Sequence, residues 1–158
     1  MSSKDDFFQK VDENANAHKA SEEALKNDML AFQKDTGSLI QQIKGWFDNS
    51  PIRAVTSTTQ LVDNGSRVEV PTLMLHNRDK TLTITPEGLY YFGVTGSLQV
   101  TIDNPGSAPR TSNFSLHWKD AISKLDGWVI VYGGAGNTAP KRIEFNQDNF
   151  FNMISSFA

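Results

Sequence analysis

The chain has 158 residues, of which 38% are hydrophobic and 21% charged, with fifteen Lys or Arg against eighteen Asp or Glu for a net charge of −3. That length supports one domain with a real core and an appendage, and the balance lacks the basic stripe a nucleic-acid-binding protein carries. No cysteine occurs, which excludes disulfides, thiol chemistry and cysteine-ligated metal and fits a reducing compartment.

No apolar run approaches the ~20 residues that span a bilayer, and the opening stretch MSSKDDFFQKVDENANAHKA has no apolar core of signal-peptide length. A cytoplasmic protein that engages neither membrane nor nucleic acid is the expectation. Charge is unevenly placed: the first fifty residues hold six Lys and nine Asp or Glu, while the remainder holds nine of each sign.

Residues 3 to about 35 read as helix, with Ser3 as cap, Asp5 and Asp6 in the first turn, and no Pro or Gly before Gly37. Phe8, Val11, Ala15, His18, Glu22, Leu25, Met29 and Phe32 recur alternately at three and four residues, and Leu39, Ile43 and Trp46 keep the phase. This is a heptad seam with a weak middle. It predicts either an arm that docks by both ends or a self-associating helix, and Ala15, His18 and Glu22 suit self-association poorly. Asp35-Thr36-Gly37 predicts a break, followed by a second helix from Leu39 to Asp48 that Ser38 and Gln41 cap as a box. The expected division is an N-terminal helical arm, 1–50, and a β-rich body, 51–158.

From Ile52 the pattern is mainly strand. Asn64-Gly65 signals a two-residue hairpin pairing Leu61 with Val68 and Thr59 with Val70. The apolar phase then moves from Val68 and Val70 to Leu73 and Leu75, which predicts a bulge near Pro71 and Thr72. Thr85-Pro86-Glu87-Gly88 predicts a three-residue hairpin loop pairing Ile84 with Tyr90. Beyond it, apolar residues at every even position from Tyr90 to Ile102 predict one long strand bent at Gly93 and Gly96, or else a turn over Thr95 to Ser97. Phe114, Leu116 and Trp118 mark another strand, and residues 119 to 126 suit a short helical turn. Trp128 to Tyr132 reads as a strand buried on both faces, and Gly133 to Pro140 as a loop. Ile143 and Phe145 mark a last strand, and a final helix capped by Asn146 or Asp148 carries Phe150, Phe151, Ile154 and Phe157. The predicted class is α+β: two N-terminal helices, an antiparallel sheet or small open barrel of about seven strands, and a C-terminal amphipathic helix.

No motif demands a chemistry, cofactor or metal. Gly133-Gly134-Ala135-Gly136 follows a strand but runs into Pro140 rather than into a helix bearing Lys-Ser/Thr, so it lacks the phosphate-loop context. His18 and Glu22 sit four apart on one helix, too few ligands for a metal. His76 and His117 would supply an acid and a base only if the fold brought them together, with Lys80 or Asp120 nearby. The odd-numbered face of the central strands, with Thr81, Thr83, Tyr91, Thr95, Gln99 and Thr101, is uncharged and rich in hydroxyls. Such a face is either plain sheet surface or a protein-binding face with few charges to desolvate. The leading expectation is a non-enzymatic protein-binding protein, of the kind represented by immunity proteins, antitoxins and secretion accessory proteins. A small hydrolase using His76 or His117 and a homo-oligomer built through the heptad seam are the alternatives.

Overall fold

The computed structural model describes residues 2–63, 66–89, 96–118, 127–133 and 139–158. One helix, α1 (Ser3–Trp46), precedes seven strands: β1 (Arg53–Asp63), β2 (Ser66–Asn77), β3 (Lys80–Leu89), β4 (Gly96–Asp103), β5 (Thr111–Trp118), β6 (Trp128–Gly133) and β7 (Pro140–Glu144). A short helix, α2 (Gln147–Met153), and a single 3-10 turn, Ser155–Phe157, follow. The strands form one antiparallel sheet in sequence order, β1 to β7, and the sheet stays open. The α+β class stands as read from the sequence.

The two expected N-terminal helices are one. Ser2 rather than Ser3 caps it, its Oγ accepting from the Asp5 amide at 3.2 Å, and the helix runs through Thr36 and Gly37 without a break. A glycine inside a helix costs about 1 kcal/mol relative to alanine. Here Thr36, Leu39, Ile40 and Ile43 are all buried, and each large apolar side chain contributes about 1.5–3 kcal/mol on burial. Packing on the sheet therefore outweighs the local breaker. Gly37 faces Pro71, whose Cγ would lie 3.8 Å from an added Cβ.

The β1–β2 hairpin has the anticipated register, with Leu61 opposite Val68 and Thr59 opposite Val70; the connecting Asn64-Gly65 lies outside the described residues. The expected bulge at Pro71 and Thr72 is absent, since pairing with β1 runs unbroken from Arg53↔His76 to Asp63↔Ser66. What changes there is the other neighbour. β2 pairs with β3 only from Leu73↔Ile84 to Asn77↔Lys80, and Pro71 and Pro86, which have no N–H to donate, stand just past that limit. Beyond it β1 and β2 continue as a two-stranded ribbon, which twists more freely than a sheet. Val68 and Val70 are buried on one face of that ribbon, and Leu73 and Leu75 on the opposite face of the same strand. Gln33 of α1 donates its Nε2 to the Glu69 carbonyl at 2.7 Å, satisfying part of the edge that β3 leaves open.

The predicted Pro86-Glu87-Gly88 hairpin loop is not formed. β3 continues through these residues to Leu89, pairing Ile84 with Val100, Pro86 with Leu98, Gly88 with Ser97 and Leu89 with Gly96; Glu87 is the extra residue of a bulge. Gly88 takes φ 155° there, a conformation open essentially to glycine. Gly96 and Ser97 already pair within the β3–β4 ladder, Gly96 opposite Leu89, so the expected turn over Thr95 to Ser97 is not formed, and of the expected bent strand the described residues include only the part from Gly96 onward. Tyr90 to Thr95, residues 119–126 and residues 134–138 lie outside the described residues. Leu82, Ile84, Val100 and Ile102 nonetheless share the core face, because the even parity is the same in the observed register.

β6 is buried on both faces at Val129, Ile130 and Val131, as anticipated. Asn146 caps α2, accepting from the Asn149 amide at 2.8 Å. Phe150 packs edge-on against Phe114 and tilted against Trp46. Three side chains from two turn regions, β2–β3 and β4–β5, fasten the last residues: Asn77 donates to the Phe157 carbonyl at 2.8 Å, Lys80 to Ala158 at 2.6 Å and Asn104 to Ser156 at 2.9 Å. Leu25 to Ile43 of α1, the inward side chains of the sheet (among them Val68, Val70, Leu73, Leu75, Leu82, Ile84, Val100, Ile102, Phe114 and Leu116) and Phe150 to Phe157 make one core.

Candidate functional site

Opposite that core lies a sheet face that neither helix packs on, and its registers define three adjacent rows. Arg53, His76, Thr81, Asp103 and Thr111 form the first; Val55, Met74, Thr83, Thr101 and Asn113 the second; Thr85, Gln99, Ser115, Val131 and Arg142 the third. Thr81, Thr83, Gln99 and Thr101 therefore sit together at the centre, each half-buried. Tyr91 and Thr95, assigned to the same face from the sequence, lie outside the described residues.

The rows do not bring the two strand histidines together. His76 is on β2 and His117 on β5, three strand spacings or about 14 Å apart across the sheet. The row of His76 reaches β5 at Thr111, six residues or about 20 Å along the strand from His117. His117 is buried, and Lys80 is spent on the Ala158 carbonyl. Asp120 lies outside the described residues.

A polar cluster does form where sequence reading saw only a turn. The bulge turns the Glu87 carboxylate onto this face, where its Oε1 accepts from Ser97 Oγ at 2.9 Å and from Ser115 Oγ at 3.2 Å. Ser115 also approaches Gln99 Oε1 at 3.3 Å. Next to the cluster, Asn113, Ser115, His117, Val131 and Arg142 line a cavity of about 470 Å³. A carboxylate accepting from two hydroxyls orders that end of the face. No local signal marked Glu87 for this role: the bulge moves the inward-facing parity of β3 from Leu82 and Ile84 to Leu89, a change that appears only in the pairing with β4. At the other end, Arg110 grips Asp103 through Nε–Oδ1 at 2.7 Å and Nη2–Oδ2 at 3.2 Å, and these bonds hold the Asp103 carboxyl below its ordinary range.

The third feature is the outer half of α1. Every residue from Ser2 to Ala24 is exposed, and burial begins at Leu25. At 1.5 Å per residue, Ser3 to Ala24 projects about 33 Å beyond the packed body. The seam therefore docks at one end only: Leu25, Met29, Phe32, Leu39 and Ile43 are buried, while Phe8, Val11, Ala15, His18 and Glu22 are not. His18 and Glu22 meet each other at 2.9 Å in solvent. Phe7, Phe8 and Val11 remain 61%, 54% and 46% exposed near the tip, with the two rings edge-to-face at 5.3 Å. The projecting half carries three lysines against six carboxylates, whereas residues 25–158 carry twelve charges of each sign. The whole net charge of the protein is on the arm.

Among the described residues no three His, Asp or Glu side chains group as metal ligands, and no helix is long and apolar enough to cross a membrane. Comparison of the chain with protein-family models, with curated proteins and with solved structures finds no match.

Proposed function

We propose that this protein performs no chemistry of its own and binds another protein through the projecting half of α1. The observation that supports this reading is the arm itself: about 33 Å of solvent-exposed helix with all of the net charge and an aromatic tip. Exposed Phe residues cost solubility and are retained where they fill a partner's pocket. The partner is basic on its contact surface, as a toxin held by an acidic neutraliser would be, with an apolar pocket for Phe7, Phe8 and Val11. Pairing two arms with each other would set −3 beside −3, so the seam favours a different chain over a second copy.

The test is co-purification from the native cell with the full chain, beside a Phe7→Ser/Phe8→Ser variant and an Asp5→Lys/Asp6→Lys/Asp12→Lys variant. A stoichiometric basic partner should be retained by the unmodified chain, and its affinity should fall at least ~30-fold in the aromatic variant, as for loss of a ~2 kcal/mol hot spot. The charge variant should also lose the salt dependence of binding. A chain that elutes alone at every concentration, or a partner held equally well without residues 2–21, overturns the reading.

A further inference from the structure

Among the described residues the outer edge of β1 has no neighbouring strand, and it lacks the devices by which edge strands are normally blunted. From Ala54 to Val62 the sequence AVTSTTQLV holds no charge and no proline, and its pairing with β2 contains no bulge. Short strands, lysines, prolines and bulges are what keep edges from recruiting another strand. β1 is eleven residues long, every residue from Val55 to Gln60 is exposed, and Val55 and Val62 are among the exposed large hydrophobics.

We infer that β1 pairs with β1 of a second copy, antiparallel about a two-fold axis at Thr58, to make a continuous fourteen-stranded sheet. The backbone supplies the register. Outward-pointing N–H and C=O groups alternate along β1, and they do so identically in both copies, so opposed residues must have the same parity. Of the registers this allows, only the one centred on Thr58 pairs the strand along its full length. It sets Ala54 opposite Val62, Val55 opposite Leu61, Thr56 opposite Gln60 and Ser57 opposite Thr59. Small and branched apolar residues thus meet at both ends and hydroxyls in the middle, pairs that suit a strand interface. No charge between Ala54 and Val62 meets its like, which distinguishes this self-association from one through the acidic arms.

Space also permits it. α1 packs on β2, so two-fold related helices stand about three strand spacings, or roughly 14 Å, apart, beyond the 8–10 Å of helix contact. A second copy fits the edge better than an extended peptide does because the strand's own sequence is complementary to itself when reversed. The dimer holds two arms, giving a multivalent partner two attachment points.

Thr58 is the one position that opposes itself, and this makes the test specific. The full-length chain is measured by sedimentation velocity from micromolar to millimolar concentration, with Thr58→Lys and Thr58→Glu variants alone and mixed. The unmodified chain should be a dimer, each variant alone should shift at least tenfold toward monomer, and the mixture should restore a heterodimer. In the cysteine-free chain, Thr58→Cys should cross-link to itself on mild oxidation while Ser57→Cys does not; this reads the same geometry without altering charge. A monomer at all concentrations, a dimer unmoved by either charge variant, or cross-linking at Ser57→Cys but not at Thr58→Cys overturns the inference. So does a monomer that captures extended peptides along β1. Deleting residues 2–21 should leave the dimer intact while abolishing arm-mediated binding, so the two proposals fail separately.

Discussion

The ring of Phe32 lies against the backbone of Gly96 so closely that a Cβ at position 96 would stand 2.6 Å from two of its ring carbons and 3.1 Å from Trp118 Cε3. Phe32 is the point where α1 meets the middle of the sheet, tilted against Trp118 at 5.5 Å and Trp128 at 6.2 Å. One turn further along the helix, Asp35 accepts from the Trp118 indole Nε1 at 2.7 Å. The helix is thus held to β4 and β5 by a close backbone approach and an adjacent hydrogen bond. Both add to the burial of Leu25, Met29, Leu39, Ile40 and Ile43 in docking a 44-residue helix by only part of its length.

Gly96→Ala should therefore destabilise the fold by about 1–3 kcal/mol, the usual cost of overpacking a filled core. Phe32→Leu makes room and should rescue part of that loss, so the double variant should be less destabilised than the sum of the singles. Urea unfolding midpoints of the four proteins give the answer; strictly additive costs would show that the ring and the glycine are not in contact.

Gly96 also marks the limit of what sequence reading reached. Alternation gave the right core face for Leu82, Ile84, Val100 and Ile102, because parity survives a wrong turn when the error is an even number of residues. The Pro86-Glu87-Gly88 signal was read locally as a reversal, whereas cross-strand pairing with Leu98 and Ser97 made it a bulge. The break at Asp35-Thr36-Gly37 failed for a similar reason, since a propensity cost of about 1 kcal/mol was set against tertiary burial that no local window contains. The β1–β2 register expected from the Asn64-Gly65 signal, by contrast, emerged in the flanking strands, with Leu61 opposite Val68 and Thr59 opposite Val70. Of the candidate face, the threonines were legible from parity, but Glu87 depended on a bulge and the free edge of β1 depended on strand order. The dockable seam was legible too; that it docks at one end only was decided by the size of the body.

The hydroxyl of Thr36 is buried and, among the described residues, has no hydrogen-bond partner. An unsatisfied buried polar atom costs about 1–3 kcal/mol. Thr36→Val keeps the shape and removes the oxygen, so it should raise stability by about 1 kcal/mol, read as a higher urea midpoint at unchanged slope. A loss of stability would mean that the hydroxyl is satisfied in solution.

Asp103 should titrate below its ordinary value of 3.8, chiefly because Arg110 hydrogen-bonds its charged form. A carboxyl whose pKa is lower folded than unfolded adds stability that is present above the unfolded pKa and is lost as pH falls through the folded one. Arg110→Gln should move the Asp103 titration, followed by NMR, back toward 3.8. The variant's small deficit in stability at neutral pH should vanish in strong acid. The pair is largely exposed, so salt should weaken the effect.

The projecting half of α1 should be the least protected helix in the molecule. Nothing packs on Ser2 to Ala24, and its middle holds Asp12, Asn14, Asn16 and His18, all modest helix formers. Its support is local: the Ser2 cap, a Gln9–Glu13 hydrogen bond at 3.2 Å and the His18–Glu22 contact. It lacks the tertiary packing that supplies most of a helix's stability in a folded protein. Amide exchange in residues 6–20 should therefore run within about a hundredfold of the unfolded rate, an opening free energy under ~3 kcal/mol. Residues 32–43 should instead exchange only through global unfolding. Binding of the proposed partner should slow exchange in residues 6–20 by at least tenfold and leave 32–43 unchanged. A partner that protects the β3–β4 face while the arm still exchanges freely would relocate the binding surface to Thr81, Thr83, Gln99 and Thr101.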